Sequence, residues 1–234
     1  SPALDLVEIF GVPLVGSLLF HATCAASYRV RPHRIFEVIG ILGVWRYAWW
    51  LTHAVRARIY GQLVYPKLAK RGADLWASGW RPKHMHFMMT TFKEHRDITE
   101  AVVRSIVSQI REAGVPGTLW LGSGDIYDED LIARHLELIA EDVDITFRII
   151  RQNQSGKRMA IALVLRAMSR ANISDDELIV FMDGDFVIDH GALRKCMPLF
   201  GVDPELQALT TDEDVIVRGP AWMQSWLNMR FAQR

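Results

Sequence analysis

The sequence predicts an α/β fold, a mostly parallel sheet with helices on its faces, preceded by N-terminal transmembrane or interfacial helices. Three observations predict it. From about His84 onward, short apolar runs alternate with amphipathic stretches. Residues 9–28 contain no Asp, Glu, Lys or Arg. Half of the 234 residues are hydrophobic and 23% are charged, enough apolar material for one large domain plus an appendage and too much for a disordered chain. The 27 Lys+Arg and 27 Asp+Glu cancel. The global basic field of a nucleic-acid binder is therefore missing, and nucleic acid is set aside as a partner.

Residues 9–28 match the length that crosses a hydrocarbon core of roughly 30 Å, and they read as a transmembrane helix. Asp5 and Glu8 stand upstream where a secretory signal would carry positive charge. A second apolar run, 38–55, holds Trp45, Tyr47, Trp49 and Trp50, aromatics that favour the headgroup level, together with Arg46, and it either spans or lies in the interface. Nine basic groups face one acid, Glu37, between residues 27 and 72, a partner for anionic membrane lipid. Arg56, Arg58, Lys67, Lys70 and Arg71 come after the second run without an acid, which by the positive-inside rule places them, and the chain beyond them, in the cytosol. Arg29, Arg31 and Arg34, between the two runs, pull the other way. Residues 1–72 are read as transmembrane and juxtamembrane helices and 84–234 as one α/β domain. Cys24 and Cys196 are far apart with no CxxC spacing and suggest neither a zinc site nor a disulfide framework.

Within the second part, strands are expected at 86–91, 118–121, 145–150, 178–182 and 207–211. Ile98, Val102, Ile106 and Ile110 recur every four residues and predict a helix. Residues 131–139 form a second helix after the acids Asp128, Glu129 and Asp130, and 160–171 are rich in helix formers. A last helix, 221–234, carries Trp222, Trp226, Met229 and Phe231, which could rest on a membrane surface. In a parallel sheet of this kind ligands bind at the carboxyl ends of the strands, so the motifs are sought there.

Asp183-Gly184-Asp185 follows the apolar run 178–182. Side chains at i and i+2 point to one side, and Gly184 removes bulk between them, so two carboxylates can converge on a hard divalent cation that in turn holds a diphosphate. A plain Asp-Gly turn accounts for the residues equally well. An EF-hand is disfavoured because Ile188 stands where its glycine belongs. Gly156-Lys157 opens the helix at 159–171, with positive charge near a helix N-terminus suited to anions. It is not a P-loop, because Arg158 follows Lys157 and Arg151 stands in place of the first glycine. Gly122-Ser123-Gly124-Asp125 lacks the third glycine of a dinucleotide fingerprint, where Tyr127 stands. Asp125 remains as an acid at a strand end, placed to face a nucleoside or to cap the next helix. Thr91 and Glu94 close the first strand, where Glu94 faces a base or merely water. Asp212-Glu213-Asp214 follows the last strand. His84 and His86 have metal-like spacing without a third ligand, and read as surface or core histidines.

The order of these motifs resembles the family-2 glycosyltransferases with the Rossmann-like GT-A fold, in particular the membrane-embedded processive polysaccharide synthases. The resemblance covers most of the chain. The run 45–60, with 193–196, 208–212 and 230–234, is most similar to the bacterial alginate (mannuronan) synthases. It implies an inverting transfer from a nucleotide-sugar donor, GDP-mannuronic acid in the alginate case, to a growing exopolysaccharide. Asp183 and Asp185 would then hold Mg2+ or Mn2+, Asp125 and Glu94 the nucleoside, Lys157 the phosphate or base edge, with Thr91 and Asp183 part of the nucleotide-sugar site. The family's general base lies in a Thr-Glu-Asp-like motif after the last strand, followed by Gln-x-x-Arg-Trp. Neither is present, so no residue here is expected to be the base, and the chain is expected to bind donor with little or no turnover. The resemblance also implies a bacterial inner-membrane enzyme with a cytosolic catalytic domain, a cyclic-di-GMP-sensing partner and an export machine. A UDP-glucose-dependent β-glucan synthase, a transferase adding one sugar to a lipid phosphate, and a noncatalytic membrane-bound interaction module share the same features.

Overall fold

The computed structural model describes residues 32–152, 156–211 and 219–231. The expected helix at 9–28 and the acids Asp212, Glu213 and Asp214 lie outside them. The chain divides into two compact units, Ser1–Gln62 and Leu63–Arg234.

In the first unit the apolar run 38–55 falls within one helix, α1 (Pro32–Ile59), which continues into a π-helical turn at Tyr60–Val64. Trp45, Trp49 and Trp50 are exposed, the first two stacked with centroids 6.1 Å apart. Among the described residues no helix is long and apolar enough to cross a membrane. Arg46 and the Arg56–Arg58 end of α1 leave that helix short of an uninterrupted apolar stretch.

The second unit opens with α2 (Tyr65–Ala77), after which four strands alternate with helices: β1 (Met85–Thr91), α3 (Arg96–Ala113), β2 (Gly117–Ser123), α4 (Ile126–Ile139), β3 (Ile145–Arg151), α5 (Lys157–Arg170) and β4 (Leu178–Asp183). The strands form one parallel sheet in the order β3-β2-β1-β4. The central pair is apolar on both faces, as strands covered on both sides must be, and β2 is buried throughout. On one face Met85, Phe87, Met89, Leu119 and Leu121 pack with Val102, Val103, Ile106 and Ile110 of α3 and Ile132 of α4. On the other, Met88 and Trp120 pack with Val164 and Met168 of α5. Each such side chain removed from water contributes roughly 1.5–3 kcal/mol. Ile98, expected on the buried stripe, is 40% exposed in the first turn of α3. Gly114, left-handed at φ 65°, ends that helix.

Two further differences have physical causes. The helix expected to start at 131 begins at Ile126, because Asp125 caps it and the acids Asp128 and Glu129 sit in its first turn, where the helix dipole favours negative charge. The strand expected at 207–211 does not form: this segment is mostly exposed and pairs with no neighbour among the described residues, and β-propensity stabilises a strand only through cross-strand partners. After β4 come instead two short helices, α6 (Ala192–Cys196) and α7 (Pro198–Val202). Buried Gln109 of α3 ties this return segment down, donating to the Asp189 carbonyl at 3.0 Å and accepting from the Leu193 N–H at 3.2 Å. The last helix, α8 (Ala221–Phe231), exposes Trp222 and Trp226.

His84 and His86 lie at the strands' amino ends, away from the ligand side. Trp120 Nε1–H donates to His86 Nδ1 at 3.1 Å, and an indole can only donate, so His86 carries its proton on Nε2, 2.6 Å from Glu177. His86 is a core histidine, one of the two alternatives the spacing allowed, and His84 lies half-buried beside it with Nε2 2.9 Å from the Thr118 hydroxyl.

Candidate functional site

Parallel pairing aligns the carboxyl ends of the strands, with Thr91 opposite Ser123, Ser123 opposite Arg151, and Thr90 opposite Asp183. Along this line lies a cleft of about 430 Å³ whose walls include Thr91, Phe92, Glu94, Gln152, Lys157, Asp183 and Asp185. It gathers side chains from three strand ends and one helix start.

The β1 exit is shaped from below. Fully buried Asp128, in the first turn of α4, accepts on one oxygen from the Thr91 hydroxyl and from the Lys93 N–H, both at 2.9 Å. Lys93 is thereby held at φ 54°, a left-handed conformation that a lysine does not adopt without support. The turn directs Phe92, 52% exposed, and Glu94 into the cleft. Thr91 itself is 4% exposed and spends its hydroxyl on Asp128, so it supports this wall from within.

The β4 exit carries Asp183-Gly184-Asp185. A Cβ on Gly184 would lie 2.6 Å from the Thr90 carbonyl oxygen, so only glycine lets this turn lie against β1. Lys157, the first residue of α5, reaches across to Asp183 with Nζ 2.7 Å from Oδ2. Both side chains are more than half exposed, so the pair adds little to stability and is free to exchange partners. Burial, and then the negative charges of Asp185, Asp128 and Asp183, push the Glu94 carboxyl above its ordinary value, while Lys157 pulls it down. The cleft therefore concentrates negative charge that one lysine offsets only in part.

Such a field calls for a cation. Among the described residues no group of three or more His, Cys, Asp and Glu could hold a metal. Magnesium, however, is commonly held by one or two carboxylates together with waters and substrate phosphates. The donor set here, Asp183 and Asp185 as hard oxygen ligands on an open cleft, fits that mode.

Of the residues singled out in the sequence, Thr91, Glu94, Lys157, Asp183 and Asp185 come together. Asp125 does not line the cleft: its carboxylate accepts from the Tyr127 N–H at 3.0 Å and caps α4, the second of the two roles the sequence allowed. Sequence reasoning missed Phe92, Gln152 and Asp128. Phe92 stood between two recognised residues; Asp128 was indistinguishable from its acidic neighbours, since its role depends on which groups fold against it, the Thr91 hydroxyl and the Lys93 N–H.

Residues 82–234 match the family described as glycosyltransferase like family 2. The chain belongs to the family-2 glycosyltransferases. Two curated relatives support the assignment. A protein named glycosyltransferase Alg8 from Pseudomonas syringae pv. tomato is 33% identical over 198 residues, 84% of this chain and 40% of its own length. Another of the same name from Azotobacter vinelandii is 30% identical over 233 residues, 94% of this chain and 46% of its own length. This glycosyltransferase chain thus spans less than half the length of these relatives. The β1 exit, the Gly156-Lys157 helix start and Asp183-Gly184-Asp185 all lie inside the matched region.

Proposed function

We propose that the chain forms the donor-binding half of an inverting polysaccharide synthase that takes GDP-mannuronic acid and extends an alginate-type exopolysaccharide. The observation that carries this reading is the convergence of Lys157, Asp183, Asp185 and Glu94 in one cleft of a family-2 glycosyltransferase domain. The similarity to two glycosyltransferases named Alg8 supports the choice of polymer.

In the transfer, an acceptor hydroxyl oxygen bonds to the anomeric carbon as the bond to the diphosphate oxygen breaks. The electron pair leaves with the nucleoside diphosphate, and the hydroxyl proton passes to a general base, a role to which we assign no residue of this chain. Asp183 and Asp185 would hold Mg2+ or Mn2+, which when bound neutralises charge on the leaving diphosphate. Lys157 releases Asp183 and turns to the diphosphate. Phe92 presents an exposed ring face to the nucleobase, and Glu94 closes the same wall. In this reading the exposed tryptophans of α1 favour the headgroup region of a bacterial inner membrane, and the transferase part lies in the cytosol. Residues 1–72 serve as the membrane-associated part and 84–234 as the transferase part.

Calorimetric titration of the detergent-solubilised chain with GDP-mannuronic acid, GDP, UDP-glucose and UDP, with and without Mg2+, tests the reading. Metal-dependent GDP binding that is lost in Asp183→Ala is expected. UDP binding with the same dependence would replace the alginate assignment by a β-glucan one, and no nucleotide binding by folded protein would overturn the donor site itself.

A further inference from the structure

We propose that Gln152 reads the hydrogen-bonding edge of the donor's nucleobase and sets its base preference. The inference rests on the nucleotide-sugar reading above and names a residue for which that reading has no use.

Gln152 is the residue directly after β3. Its backbone N–H donates to the Ser123 carbonyl at 3.0 Å, which extends the β2–β3 ladder by one residue and fixes where the side chain starts. The side chain lines the cleft beside Phe92 and Glu94. Its amide and the Phe92 ring meet over Gly124: a Cβ there would come within 3.0 Å of both Gln152 Nε2 and Phe92 Cδ2. A flat heterocycle stacked on the exposed ring of Phe92 therefore brings its edge to this amide.

Oε1 of Gln152 is buried and has no hydrogen-bond partner among the described residues. Leaving a buried acceptor unmade is costly, and a native fold keeps such a group chiefly where something else satisfies it. Among the described residues no partner of Oε1 is lost when the amide turns about its terminal torsion, which is soft and roughly two-fold. The side chain can thus offer the cleft either an acceptor or a donor. That suits a nucleobase edge, where an N–H stands next to a carbonyl.

The chemistry gives a test that folding alone does not mimic. Gln152→Glu replaces one donor and one acceptor by two acceptors. Guanine offers two adjacent donors, N1–H and the 2-amino group, which a carboxylate takes up together. Uracil offers one N–H flanked by two carbonyls, which a carboxylate repels. The added negative charge weakens both diphosphates alike and cancels in the ratio. Titrating GDP, UDP and inorganic pyrophosphate in the presence of Mg2+, we expect the preference for GDP over UDP to rise at least tenfold in Gln152→Glu. Gln152→Met, of similar shape but without the amide, should fold at least as stably as the parent, bind both nucleotides about tenfold more weakly, and keep its pyrophosphate affinity.

An unchanged GDP/UDP ratio in Gln152→Glu, with metal-dependent binding of both nucleotides intact, overturns the role of Gln152 and leaves the donor site standing. Destabilisation of Gln152→Met with unchanged nucleotide affinity assigns the amide to the fold and overturns it equally. If the parent chain binds pyrophosphate but neither nucleotide, or none of the three, the nucleotide reading fails and this inference fails with it.

Discussion

Replacing Gly184 by alanine should separate the stability of the sheet from the geometry of the cleft. The new Cβ would stand 2.6 Å from the Thr90 carbonyl oxygen, and ordinary contact begins at 3.4 Å, so β1 and the β4 exit must part by about 0.8 Å. Neither side can yield by rotating a side chain, because the obstacle is backbone and Thr90 is already paired with Asp183 in the ladder. Overpacking of this size costs about 1–3 kcal/mol, which for a domain of this size lowers the melting temperature by roughly 2–12 °C. The displaced atoms belong to the turn that carries Asp183 and Asp185. Misplacement approaching an ångström at such a site can cost on the order of a hundredfold, so metal-dependent GDP affinity should fall by at least tenfold. Gly114→Ala is the matched control: it forces a side chain into φ 65° at the end of α3, with nothing among the described residues within 4 Å of the new atom. It should lose about 1 kcal/mol through backbone strain and leave affinity alone. A Gly184→Ala protein that folds and binds GDP with parental affinity would refute the close approach of the two strand ends as the device that sets the carboxylates.

Three further outcomes can be checked. Asp125→Ala should cost about 1 kcal/mol in urea unfolding, the loss of a helix cap, and leave nucleotide affinity unchanged, whereas a nucleoside ligand would lose affinity first. Asp128→Ala strands the Thr91 hydroxyl and the Lys93 N–H, and should destabilise the domain by about 2–4 kcal/mol while weakening GDP binding, because the Phe92–Glu94 turn loses its support. The hydrogen bond from His86 holds the Glu177 carboxyl below its ordinary value of 4.5, against the opposing effect of burial. A carboxyl held low contributes stability above its unfolded pKa and loses it as pH falls through the folded one. Glu177→Gln should therefore be less stable than the parent at pH 7, with the difference closing below about pH 4.5 in urea titrations across pH.

The repeating layers of the fold were legible in the sequence because they rest on local periodicity. Four strands and the three helices between them lie where apolar spacing put them, with ends shifted by no more than five residues. What failed was non-local. The segment 207–211 has a strand's composition, but a strand is made by its partner, and composition does not name one. The site was legible where chemistry is written into residue type, as with Lys157, Asp183 and Asp185. That Asp125 caps α4 became visible only once the Tyr127 N–H met its carboxylate. Asp128 escaped notice because its neighbours Glu129 and Asp130 look the same on paper. Its partners at the β1 exit, the Thr91 hydroxyl and the Lys93 N–H, set it apart, whereas the equally buried Glu129 pairs with Arg151.

The outer edge of β4 has a bearing on handling. Among the described residues no strand pairs with it, and Ile179 and Phe181 stand exposed along the same strand. An open ladder with apolar side chains is a template for any other extended chain, including a second copy of itself. Colloidal behaviour should therefore be limited by this strand, and a net charge of zero by formal count supplies no repulsion to oppose it. Light scattering should rise with protein concentration while the circular dichroism of the sheet stays constant, and titrations are best run dilute.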